Sequence, residues 1–257
     1  MAPHTEDMLI NPEKQFLFFK PLKYAGTSVE HALLNASGAD SLCAGSMDGF
    51  DNVEYEQRNN VFYVDGEKQL RFAQHTYPEL FFSRIGNPDF FKEFYKISMV
   101  RNPWDALVSY YWWCVRNPDN FPSAYIDLIN DDDSHRDIQM KFETLITVAS
   151  SYMFDPIAEA IGFDEDIASP LIFFTEANSK FFLDDIDYYV RFENIENDFT
   201  VLCDRLSIDR LQLPRHKSNL KKAKFHYSVY YTDWIKRHIK DSFYNLIEQY
   251  DYKFAGE

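Results

Sequence analysis

A chain of 257 residues with 46% hydrophobic and 18% aromatic content can bury a substantial core, as one large α/β domain or two small ones. Its formal net charge of −15 argues against non-specific binding to DNA or RNA, which needs a basic face, yet leaves room for a small basic pocket in an acidic shell. No stretch approaches the ~18 apolar residues of a membrane span, and the three widely spaced cysteines, Cys43, Cys114 and Cys203, form neither a disulfide framework nor a zinc spacing.

The polar, acidic start Met-Ala-Pro-His-Thr-Glu-Asp is unlike a signal peptide, so a cytoplasmic location is expected. No repeat, low-complexity segment or linker divides the chain, and a single domain over residues 1–257 is the expectation. Residues 16–19 form a continuous apolar run, as in a strand buried on both faces. Pro21 stops it, Gly26 allows a close turn, and Thr27 or Ser28 is the candidate N-cap of a helix carrying Val29, Ala32 and Leu33. A strand that feeds a helix N-terminus through such a loop makes an anion site, because unpaired amides and the helix dipole converge there. Lys23 adds a full positive charge. This loop is expected to hold the phosphate end of a nucleotide.

Residues 35–51, rich in Gly, Ser, Ala and Asp, read as a loop. Short strands follow at 53–56, 61–64 and 69–73, separated by the turn signals Asn59-Asn60 and Asp65-Gly66. The last leads into His75, and Pro78 then suits the first position of a helix over 79–85. Residues 94–100 predict a second central strand running into Arg101-Asn-Pro-Trp-Asp105. Pro103 starts a helix whose residues 106–115 are apolar almost all round, so it should be well buried. A short helix is predicted at 124–129, and Asp131 to Ser134 cap the next, whose stripe is Ile138, Phe142, Leu145 and Ile146. Residues 188–192 predict a third strand, followed by Glu193, Asn194 and a helix over 195–206. Residues 211–224 are the only basic run, with Arg215, His216, Lys217, Lys221, Lys222 and Lys224. A last helix over about 232–249 turns Trp234, Ile235, Ile239, Phe243 and Ile247 to one face. The alternation predicts an α/β three-layer sandwich around a mostly parallel central sheet.

Ligands of such sheets bind beyond the carboxyl ends of the strands. Lys23 to Ser28, His75, Arg101 and Glu193 share that address. The loop lacks Walker A order, because its lysine precedes its glycine and no first glycine is present. Arg101 and Ser109 lie at a strand end and two turns into the next helix, where a guanidinium fork and a hydroxyl can flank a phosphate monoester. Two anion sites at two strand-to-helix junctions suit a ligand phosphorylated at both ends better than ATP. Each residue also has a structural reading. Arg101 could pair with Asp105 or Glu193, Ser109 could bond its own backbone, and His75 could be a cap or a satisfied core residue. Glu193 reads as a loop anchor, and Trp104, Trp112 and Trp113 read as core.

Lys23-Tyr-Ala-Gly-Thr-Ser28 resembles the Lys-Thr-Ala-Gly-Thr-Ser loop of sulfotransferases that use 3′-phosphoadenosine 5′-phosphosulfate (PAPS). Arg101-Asn-Pro with Ser109-x-Tyr111 resembles their second motif, Arg-x-Pro-x-x-Arg-x-x-Ser-x-Tyr. The likeness is to the carbohydrate-type branch, in a bacterial-type soluble form. His75-x-x-x-Glu79, Arg191-Phe-Glu-Asn194 with Asp198-Phe199, Leu213-Pro214, and Tyr230-Tyr-Thr before a helix ending near Tyr252 add to it. It spans residues 15–254, with cofactor motifs at 16–34 and 95–111, and is thinnest at 36–68 and 117–183, where such enzymes vary to suit the acceptor.

The resemblance implies a fold like that of P-loop nucleotide kinases and in-line sulfuryl transfer from PAPS without a metal, leaving 3′,5′-ADP. Lys23 would stabilise the leaving phosphate, with Tyr24, Ala25, Gly26, Thr27 and Ser28 completing the 5′-phosphosulfate cradle. Arg101 and Ser109 would bind the 3′-phosphate, and His75 would be the candidate base. Two departures stand out. Ala106 replaces the second motif arginine, so Arg215, Lys217, Lys221 or Lys222 would supply that charge, and Tyr24 replaces a threonine, where it would shape the loop's mouth. The acceptor is expected to be a hydroxyl or nitrogen of a small molecule, with the acidic surface favouring a cationic natural product. A glycan acceptor, an ATP-dependent small-molecule kinase and a non-catalytic nucleotide-binding protein are the alternatives. Neither nucleic acid nor membrane is an expected partner, and the oligomeric state is not readable.

Overall fold

The computed structural model of the protein describes residues 8–37, 42–44, 53–56, 61–64, 75–84, 88–116, 129, 132–147, 169–182, 185–210, 212–213 and 225–256. Five strands, β1 (Met8–Asn11), β2 (Phe16–Phe18), β3 (Leu42–Ala44), β6 (Tyr95–Val100) and β7 (Tyr188–Arg191), form one sheet in the order β3-β1-β2-β6-β7. β2, β6 and β7 pair in parallel, while β1 runs antiparallel to both β2 and β3. Four strands therefore point one way and β1 opposes them, an α/β arrangement with a mostly parallel sheet. β4 (Val53–Glu56) and β5 (Val61–Val64) form a separate antiparallel pair.

The sheet is buried on both sides at β2, and the period of two in that strand shows how. Phe16 and Phe18 join one core with α1 (Gly26–Ser37), α4 (Pro103–Arg116), α5 (His135–Thr147) and α6 (Pro170–Ser179). Leu17 and Phe19 join a second core with Phe81 of α2 (Pro78–Arg84) and Phe91 of α3 (Pro88–Phe91). All four β2-side residues are fully buried, which is why this strand carries no polar alternation.

Capping chemistry sets the helix starts that orient the site. Asn102 accepts from the amides of Trp104 (3.1 Å) and Asp105 (3.3 Å), ahead of Pro103 in the first position of α4. Ser134 and Asp137 bond reciprocally at the start of α5, whose Ile138, Phe142, Leu145 and Ile146 are all buried as expected. Ser169 caps α6 ahead of Pro170. α7 (Ile195–Leu206) follows β7 through a 3₁₀ turn, Phe192–Asn194.

Several expectations are corrected. α1 begins at Gly26, so Thr27 and Ser28 lie in its first turn and neither is its cap. The segment expected as a loop over 35–51 gives α1 its last turn and contains edge strand β3. The last helix is two, α8 (Asp233–Ser242) and α9 (Tyr244–Tyr250), broken where Phe243 leaves helical geometry at φ −116°, ψ 27°. Ile235, Ile239, Phe243 and Ile247 are buried, but Trp234 is 40% exposed. The strand expected at 69–73 and the helix expected at 124–129 fall almost wholly outside the described residues. No helix among the described residues is long and apolar enough to cross a membrane.

Candidate functional site

Parallel pairing brings three strand ends together. Phe18 of β2 is opposite Ile97 of β6, and Val100 of β6 is opposite Arg191 of β7. The segments leaving these strands are the loop before α1, the Arg101 junction before α4, and the Glu193 turn before α7. They are therefore neighbours at one edge of the sheet.

The loop from Lys20 to Gly26 is shaped by its backbone. Lys23 and Ala25 are both left-handed, at φ 69° and φ 62°. Such conformations are unfavourable for residues with a Cβ and persist where the surroundings over-determine them. Left-handed Ala25 followed by helical Gly26 turns successive amides to one side, the geometry of an anion-binding nest, at the positive end of α1. Thr27 and Ser28 sit half-buried in the first helical turn.

Three side chains from elsewhere in the chain grip this loop. His75 Nδ1 meets the Lys20 carbonyl at 2.8 Å. The Leu22 amide donates to Asn178 Oδ1 of α6 at 2.8 Å. Arg101 Nη1 donates to the Lys23 carbonyl at 2.8 Å. A carbonyl only accepts, so Nδ1 is the donor in the first bond, and when His75 is neutral this tautomer puts the lone pair on Nε2.

Under the loop lies a buried ion pair absent from the sequence reading. The Lys20 ammonium meets Glu30 of α1 at 2.6 Å, with side chains 2% and 3% exposed. The Lys20 stem runs beneath Gly26, so a methyl there would overlap Lys20 Cγ and lie 2.9 Å from Cδ. Gly26 is thus required for space, while the backbone turn falls to Lys23 and Ala25. The Lys23 ammonium lies 5.7 Å from the centre of the Trp113 ring. It is also close enough to Cys114 to oppose the burial that pushes that thiol up.

Arg101 is heavily engaged. Nε and Nη2 both reach Oδ2 of Asp105, at 2.8 and 2.6 Å, and the guanidinium carbon lies 4.0 Å from the Phe192 ring centre. The ion pair with Asp105 is thus present, alongside the loop contact. These bonds use three of its five N–H groups and leave one on each Nη nitrogen. Ser109 is half-buried on α4 and shares no hydrogen bond with Arg101. Glu193 anchors the junctions, accepting from the Asn102 amide at 2.7 Å and the Tyr252 hydroxyl at 2.9 Å.

Tyr24 does not shape the loop's mouth. It is fully buried against Phe182, and burial drives its phenol far above the ordinary value, only partly offset by Arg101. Trp104 is core, as expected, with its indole N–H on the Lys236 carbonyl. The Arg191, Asn194 and Asp198 motif is a local cage. Arg191 donates through Nε, Nη2 and its amide to Asp198, and Asn194 donates as well. Arg215, Lys221 and Lys222 lie outside the described residues. Asn178 and the Lys20–Glu30 pair are the site residues that sequence reasoning missed. For Asn178 no local signal exists, whereas a lysine at a strand end with a glutamate in the next helix was open to inspection.

Comparisons with protein-family models, curated proteins and solved structures return no match to this chain.

Proposed function

We propose that this chain is a PAPS-dependent sulfotransferase with the P-loop-like fold of that family. The observation carrying the reading is the bond between Arg101 and the Lys23 carbonyl, which joins the two motif-bearing junctions across parallel neighbours β2 and β6. A ligand phosphorylated at two places needs such adjacent junctions. The residues present fit it. The nest at Ala25 and Gly26, the first turn of α1 and Lys23 would hold the 5′-phosphosulfate. The remaining Nη hydrogens of Arg101, with Ser109 and basic residues among Arg215, Lys217, Lys221 and Lys222, would hold the 3′-phosphate.

PAPS supplies an activated sulfuryl group, which passes to an acceptor oxygen or nitrogen as its bond to the phosphate oxygen breaks. Lys23 would stabilise charge on the departing phosphate. His75 Nε2, which carries the ring's lone pair when Nδ1 donates to Lys20, would take the acceptor's proton. The loop, tied at Lys20, Leu22 and Lys23, would supply positioning. The acceptor is read as a small molecule, and the charge of −15 favours a cationic one. A cytoplasmic setting accords with these substrates.

Thermal shift decides between nucleotide classes. The sulfotransferase reading expects stabilisation by 3′,5′-ADP in the presence of EDTA. Stabilisation by ATP with magnesium and none by 3′,5′-ADP would overturn it in favour of a kinase.

A further inference from the structure

We propose that Asn178, near the C-terminal end of α6, is a positioning residue that holds the anion loop in its binding form. This rests on the reading of that loop as a nucleotide cradle. Asn178 is fully buried, and its Oδ1 is a hydrogen-bond acceptor for the Leu22 amide from 156 residues away. Leu22 immediately precedes Lys23, the first of the two left-handed residues. The three bonds to the loop fall on Lys20, Leu22 and Lys23, and two come from residues assigned roles toward the ligand. Asn178 is the third point, contributed by α6 from the segment otherwise given to acceptor variation.

A strained loop relaxes toward ordinary backbone geometry when a restraint is lost. A buried amide left without its acceptor drives the same change, because it must seek another partner. Among the described residues Asn178 Nδ2 is buried without a hydrogen-bond partner. Packing alone would be better served there by an apolar side chain of the same size. That cost is understandable if the acceptor Oδ1 is what the site needs.

The experiment compares wild type, Asn178→Leu and the control Phe142→Leu, a cavity-forming change in the core of α5. Thermal midpoint, 3′,5′-ADP affinity by calorimetry, and hydrogen exchange of residues 20–28 without ligand are measured. Asn178→Leu is expected to bind 3′,5′-ADP about tenfold or more weakly and to exchange faster across 20–28. Phe142→Leu is expected to lose midpoint while keeping affinity. If Asn178→Leu does not fold, Asn178→Ser, which leaves room for a water on the Leu22 amide, takes its place with the same expectation. A folded variant with a lowered midpoint but wild-type affinity would overturn the proposal and make Asn178 merely structural. Failure of wild type to bind 3′,5′-ADP would instead overturn the nucleotide reading and this role with it.

Discussion

The side chain of Lys20 passes beneath Gly26 and ends on Glu30, so the end of β2, the loop and α1 are fastened by one buried ion pair. The stem cannot swing aside without breaking that pair, so a methyl at Gly26 has no soft neighbour. Gly26→Ala is expected to destabilise the protein by about 1–3 kcal/mol, the usual range for overpacking. Urea denaturation measures it. An unchanged midpoint would mean that Lys20 is not held as described.

The ion pair makes a second prediction. Removing one member leaves the other charge buried alone, which costs about 3–5 kcal/mol, whereas replacing both by apolar residues of similar volume is far milder. Glu30→Leu and Lys20→Met should each lower the denaturation midpoint strongly, and the double variant Lys20→Met with Glu30→Leu should recover much of the loss. A double-mutant cycle reads the coupling, and additive losses would contradict the pair's importance.

Legibility in the sequence followed the range of the interactions. β2, β6 and β7 were readable because each is a mostly apolar run ended by a polar junction, and α2, α4 and α5 because Pro78, Pro103 and Ser134 mark their starts. β1 was missed: its four residues carry too short a pattern to stand out beside polar neighbours. α6 was missed although Ser169 and Pro170 are a good start signal, because Leu171, Phe173, Phe174 and Ala177 are all buried and leave no amphipathic stripe. The motif residues of the site were legible, since chemistry depends on residue type. Their restraints were not, because Asn178 reaches Leu22, and Arg101 reaches Lys23, only once the sheet has assembled.

Asp198 offers a test by pH. Burial works to raise its carboxyl, but hydrogen bonds from the Arg191 side chain and amide and from Asn194 outweigh burial and hold it below the ordinary value. A carboxyl depressed on folding contributes stability that is present above its unfolded value of about 3.9. That contribution is lost as pH falls through the lower folded value. Asp198→Asn should therefore be less stable than wild type at neutral pH, with the gap closing below about pH 4. Urea midpoints of both proteins across that range measure it, and a gap of constant size would remove Asp198 as the source.

Lys23 separates chemistry from folding. Its left-handed backbone is no harder for alanine than for lysine, so Lys23→Ala should leave the fold close to wild type. On the proposed reading turnover should fall by about 100-fold or more, the scale of losing one charge-stabilising donor. Sulfate transfer at saturating PAPS is the measurement, and wild-type-like turnover would remove the lysine from the mechanism.

On the proposed reading His75 holds two jobs on its two nitrogens, and substitution can separate them. Nδ1 donates to the Lys20 carbonyl, while Nε2 is the candidate base. Asparagine places an amide N–H near the Nδ1 position and has nothing at Nε2. His75→Asn should keep 3′,5′-ADP affinity near wild type and lose about 100-fold or more in turnover, as expected for a missing general base. His75→Ala removes both groups, so it should weaken nucleotide binding as well. Equal turnover in wild type and His75→Asn would leave the histidine as a loop restraint alone. Equal nucleotide affinity in wild type and His75→Ala would show that the Lys20 bond does not shape the cradle.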